Sequence, residues 1–388
     1  MPPIHPSDSR FSGRSPRLSA SRRRFLQLSG AALSGAVLTN CARNIGTATT
    51  DASPASPASS SGGGDNNTLH VYSWSTYIDD DLLKSFEQET GIKVIADIYD
   101  SNETMLAKIQ AGGGKQYSII YPSDYMVGQM AELNLLSPID KERVPGYSDL
   151  LEQWQSPSYD VDNTNSVPYT WGTTGLVYNT EVLTKPVTDW SYLWDNKKQL
   201  SGKMTLLNDV REAMGFTLKS LGFSNSTKDP KQIEAAYKKL VQLKPAISSF
   251  TTDGWRDQIV VGDLLLSHAY SVDGIDAMAS NPKLQYVIPS SGATVWTDTL
   301  VIPKAAPNVD AAYKWIAYTI NPETAATVLA RLKFATPNQK TLALLPQELR
   351  ENPALIPPDA VLEKCEVLAN VDSATDLYDR YWTQLTSA

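Results

Sequence analysis

The sequence predicts a folded α/β protein of two or three domains, and three observations lead there. From Thr68 to Leu133, short β-branched runs alternate with helical periods, which is the pattern of a parallel sheet with crossover helices. The length of 388 residues corresponds to two or three domains at about 150 residues each. Apolar residues make up 41% and charged residues 20%, so the chain can bury a sizeable core; this composition argues against wholesale disorder, a collagen-like chain or a disulfide miniprotein.

In chain order, the first segment reads as an address. Ser21-Arg22-Arg23-Arg24-Phe25-Leu26 resembles a twin-arginine export signal, and the apolar run Phe25 to Leu38 is too short to span a bilayer. Leu38-Thr39-Asn40-Cys41 resembles a bacterial lipobox, which would lipidate Cys41; Thr39 and Asn40 are larger than a lipobox prefers. Residues 1–41 are therefore expected to form the signal. Residues 42–67 are expected to be a flexible linker, since 19 of these 26 are Ser, Ala, Gly, Thr or Pro. Such a coil reaches about 30 Å.

The folded body starts near Thr68. Leu69 to Ser73 reads as a strand. Asp79 to Thr90 follows with Leu82, Leu83 and Phe86 at helical spacing and Gly91 as its stop. Lys93 to Tyr99 is a second strand, Asn102 to Ala111 a helix closed by Gly112-Gly113-Gly114, Tyr117 to Tyr121 a third strand and Asp124 to Leu133 a third helix. Residues 168–179 read as extended chain with turn glycines. A second α/β region then runs through strand Met204 to Leu207, helices Val210 to Leu221, Lys231 to Leu243 and Trp255 to Val261, and strand Leu264 to Tyr270. Gln285 to Pro289 and Thr294 to Pro303 read as strands, Asp310 to Ile320 and Pro322 to Leu332 as amphipathic helices. No internal repeat is visible.

Composition removes several functions. Residues 1–41 carry six Arg and one Asp, leaving 28 basic against 41 acidic residues. An acidic body is a poor nucleic-acid binder, because neutralising phosphates takes Lys and Arg. No apolar stretch reaches the ~18 residues of a membrane span. Two cysteines, Cys41 and Cys365, and three histidines, His5, His70 and His268, offer no CxxC motif and no zinc ligand set. His70 lies in a strand, where a packed or edge histidine is the simple reading.

Three sets of residues stand out. Trp74 and Tyr77 follow the first strand, and Ser123 and Tyr125 follow the third. Loops at the carboxyl ends of parallel strands are where open α/β sheets bind ligands, although Trp74 and Tyr77 could equally pack beneath their loop. Asp209 and Glu212 share one face at the start of a helix; they read as an N-cap and capping-box pair, with Arg211 placed to neutralise either. Trp296 and Asp298 project from the same face of a strand, with Thr297, Thr299 and Val301 on the other. A carboxylate beside a tryptophan on a buried face needs a cation or an arginine.

Several segments occur in a familiar order over some 320 residues: Tyr72-Ser73-Trp74-Ser75-Thr76-Tyr77, Glu89-Thr90-Gly91-Ile92-Lys93-Val94, Ser101-Asn102-Glu103-Thr104-Met105, Pro122-Ser123-Asp124-Tyr125, Pro168-Tyr169-Thr170-Trp171-Gly172, Asp209-Val210-Arg211-Glu212, Trp296-Thr297-Asp298 and Thr336-Pro337-Asn338. In these the chain resembles the bacterial periplasmic spermidine/putrescine-binding proteins, the receptors of polyamine ABC transporters. The resemblance implies a two-lobed type II periplasmic-binding fold, each lobe a mixed sheet flanked by helices, with a ligand cleft between lobes. On that reading 68–172 and 298–345 form lobe 1, and 173–297 and 346–388 form lobe 2. It implies a monomeric, non-enzymatic receptor without cofactor or metal. Its partners are a polyamine (spermidine first, putrescine second) and a membrane permease, and it touches the membrane only through a lipid anchor.

A polyamine is an apolar rod with ammonium groups, so its site needs carboxylates at the ammonium positions and aromatic faces along the methylenes, each face favouring a cation by ~0.5–2 kcal/mol. The resemblance places Trp74, Ser75, Tyr77, Ser123 and Tyr125 in the first-lobe site and Asp209 and Glu212 at one end of the ligand. It has Trp296 stack on the methylenes and Asp298 hold a central ammonium. Tyr270 stands where the family often has Trp, and Phe334 where it often has Tyr. The family's C-terminal Gln has no clear counterpart near Asn370. Thr252 and Asp273 are candidates for further contacts. Other solutes remain as alternatives: a sugar site would want amides and Arg, an amino-acid site an Arg, a ferric site adjacent tyrosines. An exported hydrolase would want a G-x-S-x-G elbow or an H-E-x-x-H helix, and neither motif occurs.

Overall fold

Strand β1 (Thr68–Ser73) pairs in parallel with β2 (Lys93–Ile98) on one side and β3 (Ile119–Ile120) on the other. This computed structural model describes residues 67–75 and 77–387; the export signal, Cys41 and the linker before Asn67 lie outside the described residues. Helix α1 (Asp80–Thr90) joins β1 to β2, and α2 (Asn102–Gln110) joins β2 to β3. Helix α3 (Asp124–Glu132) follows β3. The start of α1 is set by Asp79, whose side chain accepts from the Leu82 amide, and its end by Gly91 at φ 70°. Its apolar period buries Leu82 and Phe86. The third strand is shorter than expected: only Ile119–Ile120 enter the ladder. Bonds from Ser118 N to His70 O and from Tyr121 N to Tyr72 O carry the extended chain a residue further each way. His70 is half-buried on the central strand of this sheet, so it is not an edge histidine.

Residues 167–179 correct a larger expectation. They form one continuous strand, β4 (Val167–Asn179), buried along its whole length. Its glycines make close approaches rather than turns. A Cβ on Gly172 would stand 2.4 Å from a Trp296 ring carbon, and one on Gly175 2.4 Å from the Val287 carbonyl oxygen.

The second sheet contains β5 (Met204–Leu206), β6 (Ile247–Phe250), β7 (Leu266–Tyr270), β8 (Leu284–Val287), β9 (Thr294–Leu300) and β10 (Glu366–Val367). Its order is β10-β9-β4-β7-β5-β6, with β8 also on β4. Helices α4 (Val210–Lys219), α5 (Pro230–Leu243), α6 (Arg256–Val261) and α7 (Ser271–Ser280) belong to this part, and α10 (Thr375–Ser387) packs on it after α8 (Val309–Thr319) and α9 (Pro322–Leu332). Strands β6 and β10 and helices α7 and α10 are absent from the sequence reading. Helix α7 is buried on nearly every side at its start, Ser271 to Ile275, so it shows no amphipathic period.

Two apolar clusters are the largest among the described residues. One gathers Leu69, Phe86, Ile119, Leu300, Ile302, Trp315 and Leu329; the other gathers Leu176, Trp190, Met204, Phe216, Leu240, Leu266 and Tyr378. Strands β4 and β9 run between them. The first half of β4 pairs with β9 and the second half with β7 and β8. Near its end β9 also bridges to the loop after β3, at Ser123↔Asp298, and the residue that follows it, Val301, bridges to Ile120 of β3. His268 is buried in the second core at the edges of Trp190 and Phe216, where burial pushes its imidazole down to about 3 and keeps it neutral.

Candidate functional site

The carboxyl ends of β1 and β3 present two loops to one cavity, with about 680 Å³ of space including its open mouth. Twelve residues singled out in the sequence line it together: Trp74, Ser75, Tyr77, Ser123, Tyr125, Asp209, Glu212, Thr252, Tyr270, Trp296, Asp298 and Phe334. Asp273 lines it as well. Sequence reasoning did not single out Tyr99, Asp100, Asn102, Asp124, Asp253, Arg256, Val272 and Leu368. Asn102 and Asp124 lie inside quoted segments and Asp253 follows Thr252, so adjacency was the available signal.

From the first loop, the indole of Trp74 donates to the Tyr121 carbonyl at 2.9 Å and lies against Tyr99, ring centroids 4.5 Å apart. Tyr77 is buried, as the packing alternative requires, but its hydroxyl also faces the cavity acid Asp298 and donates to Oδ2. Phe334 backs the Tyr77 ring at 4.6 Å. From the second loop, Ser123 Oγ donates to Asp298 Oδ1 at 2.6 Å and is itself held by Asn102 Nδ2 at 3.1 Å. The Tyr125 hydroxyl donates to Glu103 Oε1 at 2.9 Å. Asp124 opens α3 and accepts from the amides of Tyr125 and Thr297 at 2.7 and 3.0 Å.

The opposite wall comes from the second sheet. Asp209 caps α4, its Oδ1 accepting from the Glu212 amide at 2.9 Å. The other half of the capping box is not made: Glu212 Oε1 accepts from Thr174 Oγ1 of β4 at 2.9 Å, which turns it into the cavity. Arg211 neutralises neither acid by ion pairing. It donates to the Ala369 carbonyl at 3.0 Å and lies near the Tyr125 and Tyr378 rings. Tyr270 at the end of β7 meets Trp296 edge-on at 5.8 Å. On β9 the alternation holds: Trp296 and Asp298 face the cavity, while Thr297 Oγ1 accepts from Trp154 on the reverse side. Asn370, near which no counterpart of the C-terminal Gln was seen, reaches Glu132 at 3.3 Å.

The electrostatics are lopsided. Among the described residues lining the cavity there are seven carboxyl groups and one basic residue, Arg256. Burial pushes Glu212 up to about 8, helped by neighbouring Asp209, and Asp124 up to about 8. It pushes Asp273 up to about 7 against the pull of Arg256, and Asp298 up to about 6 against the bonds from Ser123 and Tyr77. Burial also raises Asp209. Desolvated carboxyl groups resist ionising until a cation arrives. No cluster of potential metal ligands occurs among the described residues, and no described helix is long and apolar enough to cross a membrane.

Residues 81–357 match the family model of bacterial extracellular solute-binding proteins. The chain is 34% identical over 322 residues to the spermidine/putrescine-binding periplasmic protein of Escherichia coli (strain K12), covering 83% of this chain and 92% of that one. Among solved structures it is similar to the spermidine/putrescine ABC transporter substrate-binding protein PotD from Streptococcus pneumoniae, with TM-score 0.71, 34% identity, and 83% and 99% of the two chains covered. It is also similar to the Tp0655 (TpPotD) lipoprotein of Treponema pallidum, with TM-score 0.74, 27% identity, and 83% and 100% covered.

Proposed function

The chain belongs to the bacterial extracellular solute-binding protein family, and from that premise we propose that it is a periplasmic polyamine receptor. It captures spermidine first and putrescine second, and delivers them to the membrane permease of an ABC transporter. One observation carries the reading: a cavity walled by two sheets sets carboxyl groups among Trp74, Tyr77, Tyr125, Tyr270 and Trp296. Aromatic faces suit methylenes and cations together, and buried acids suit ammonium groups that would otherwise be stranded. Asp298, held by Tyr77 and Ser123, serves one ammonium; Asp209 and Glu212 serve another. Binding ionises acids that burial holds near neutrality, so protons leave as the polycation enters.

The protein works without catalytic turnover. Its spacer tethers it to a membrane through a lipid on Cys41, and Cys41→Ser is expected to release it to the soluble fraction. Titration calorimetry with putrescine, spermidine and spermine tests the central reading. Submicromolar binding of spermidine, with putrescine weaker, supports it; binding of a sugar or amino acid with no response to polyamines sinks it.

A further inference from the structure

The cavity already contains a cation of its own. Arg256, the first residue of α6, sets Nε 3.1 Å from Oδ1 of Asp273 and donates through Nη2 to Oδ1 of Asp253. Its side chain is 29% exposed, that of Asp253 49% and that of Asp273 7%, so the guanidinium spans from a surface acid to a buried one, all three in the cavity lining. The approach to Asp273 is off-axis: Nε is buried and makes no hydrogen bond, so the pair lacks the aligned fork that makes arginine–carboxylate pairs strong. Asp253 also accepts from Ser75 Oγ at 3.4 Å, which ties this acid to the loop after β1.

The cavity acids separate into poles. Asp209 and Glu212 stand at the start of α4, Asp298 on β9, and Asp273 on α7 with Asp253 just before α6, joined through Arg256. Asp209 and Glu212 form one pole, Asp298 another, and Asp253 with Asp273 a third; of these three, among the described residues, the third alone is ion-paired to a basic side chain.

We infer that Arg256 is a specificity-determining residue: its guanidinium occupies the Asp253–Asp273 pole and confines a bound polycation to the poles at Asp298 and Asp209–Glu212. This inference rests on the polyamine reading above. A ligand long enough to run past those two poles, as spermine is, brings its far ammonium to a like charge where it would otherwise meet a carboxylate, and like-charge juxtaposition is how a site rejects a near relative of its ligand. The internal cation thus limits how many ammonium groups the cavity accepts.

The test is a calorimetric ladder of putrescine, spermidine and spermine on the wild-type chain and on Arg256→Met, Arg256→Gln and Arg256→Lys, with ligand-free melting temperatures recorded for each. Removing the charge in Met or Gln is expected to tighten spermine relative to putrescine by at least tenfold, and Lys to restore the wild-type ladder. Two independent neutral replacements guard against one failing to fold. An unchanged spermine-to-putrescine ratio in the folded neutral variants overturns the inference while leaving the polyamine reading intact. Equal weakening of all three ligands overturns it too, since it means that Arg256 only supports the loop. A wild-type chain that binds none of the three overturns the ligand class and this inference with it.

Discussion

At Asp298 burial and hydrogen bonding pull in opposite directions. Desolvation raises the carboxyl to about 6, while donors from Ser123 and Tyr77 favour the charged form. The balance leaves an acid that is mostly ionised at neutral pH and pointed at the cavity. Asp298→Asn keeps the shape and removes the charge; it is expected to weaken spermidine at least tenfold, about 1.4 kcal/mol, by calorimetry. Glu212 is the contrasting case: Thr174 donates to it, yet burial raises its carboxyl to about 8. A folded-state value above the unfolded one stabilises at low pH, and that contribution is lost as pH rises through the folded value. The ligand-free melting temperature is therefore expected to fall between pH 5 and 8, and to fall less in Glu212→Gln. One proton accounts for at most about 1.4 kcal/mol per pH unit. Equal slopes in the two proteins would place the titrating group elsewhere.

Strand β4 shows how much an element depends on partners remote in sequence. Trp296 crosses directly over Gly172, so Gly172→Ala must displace the indole that walls the cavity and also move Ser271, whose Oγ would be 2.6 Å from the new methyl. The expected cost is about 1–3 kcal/mol in chemical denaturation, together with weaker spermidine binding. This dependence also marks what was legible beforehand. Helix α1 was readable because Asp79, Leu82, Phe86 and Gly91 are local signals, and the shared face of Trp296 and Asp298 follows from strand geometry alone. The glycines of β4 read as turns because a close approach by an indole over 100 residues away leaves no local trace. Asp253 and Arg256 join the cavity only through folding of the α6 loop, and the helical period of α10 rests on aromatics such as Tyr378 that its neighbours bury. The twelve residues inferred from motifs do share one cavity; that they hold a ligand is the proposal the titrations address.

For the whole molecule, the cavity takes walls from both sheets, so a ligand reaching both favours the arrangement that brings them together. Spermidine is expected to reduce the radius of gyration in solution scattering and to raise the melting temperature, and butylamine at equal concentration to do neither, because one ammonium satisfies one pole. Near pH 4, where the acids are protonated, the spermidine effect should vanish. Compaction by butylamine would contradict a two-walled site. The first core also imposes a timetable on synthesis. Phe86 of α1 packs edge-on to Trp315 of α8 at 4.9 Å, and the Trp315 indole donates to Tyr121 at 2.8 Å. The ribosome thus makes β1, α1 and β3 long before Leu300, Ile302 and Trp315, which cover them. Until those residues emerge, the nascent first lobe carries a bare apolar face, exposed to self-association and to any holdase that recognises it. This half therefore closes its core late, after strands β4 to β8 have been made, and a chain interrupted before Leu300 is expected to yield an aggregation-prone fragment rather than a half-receptor.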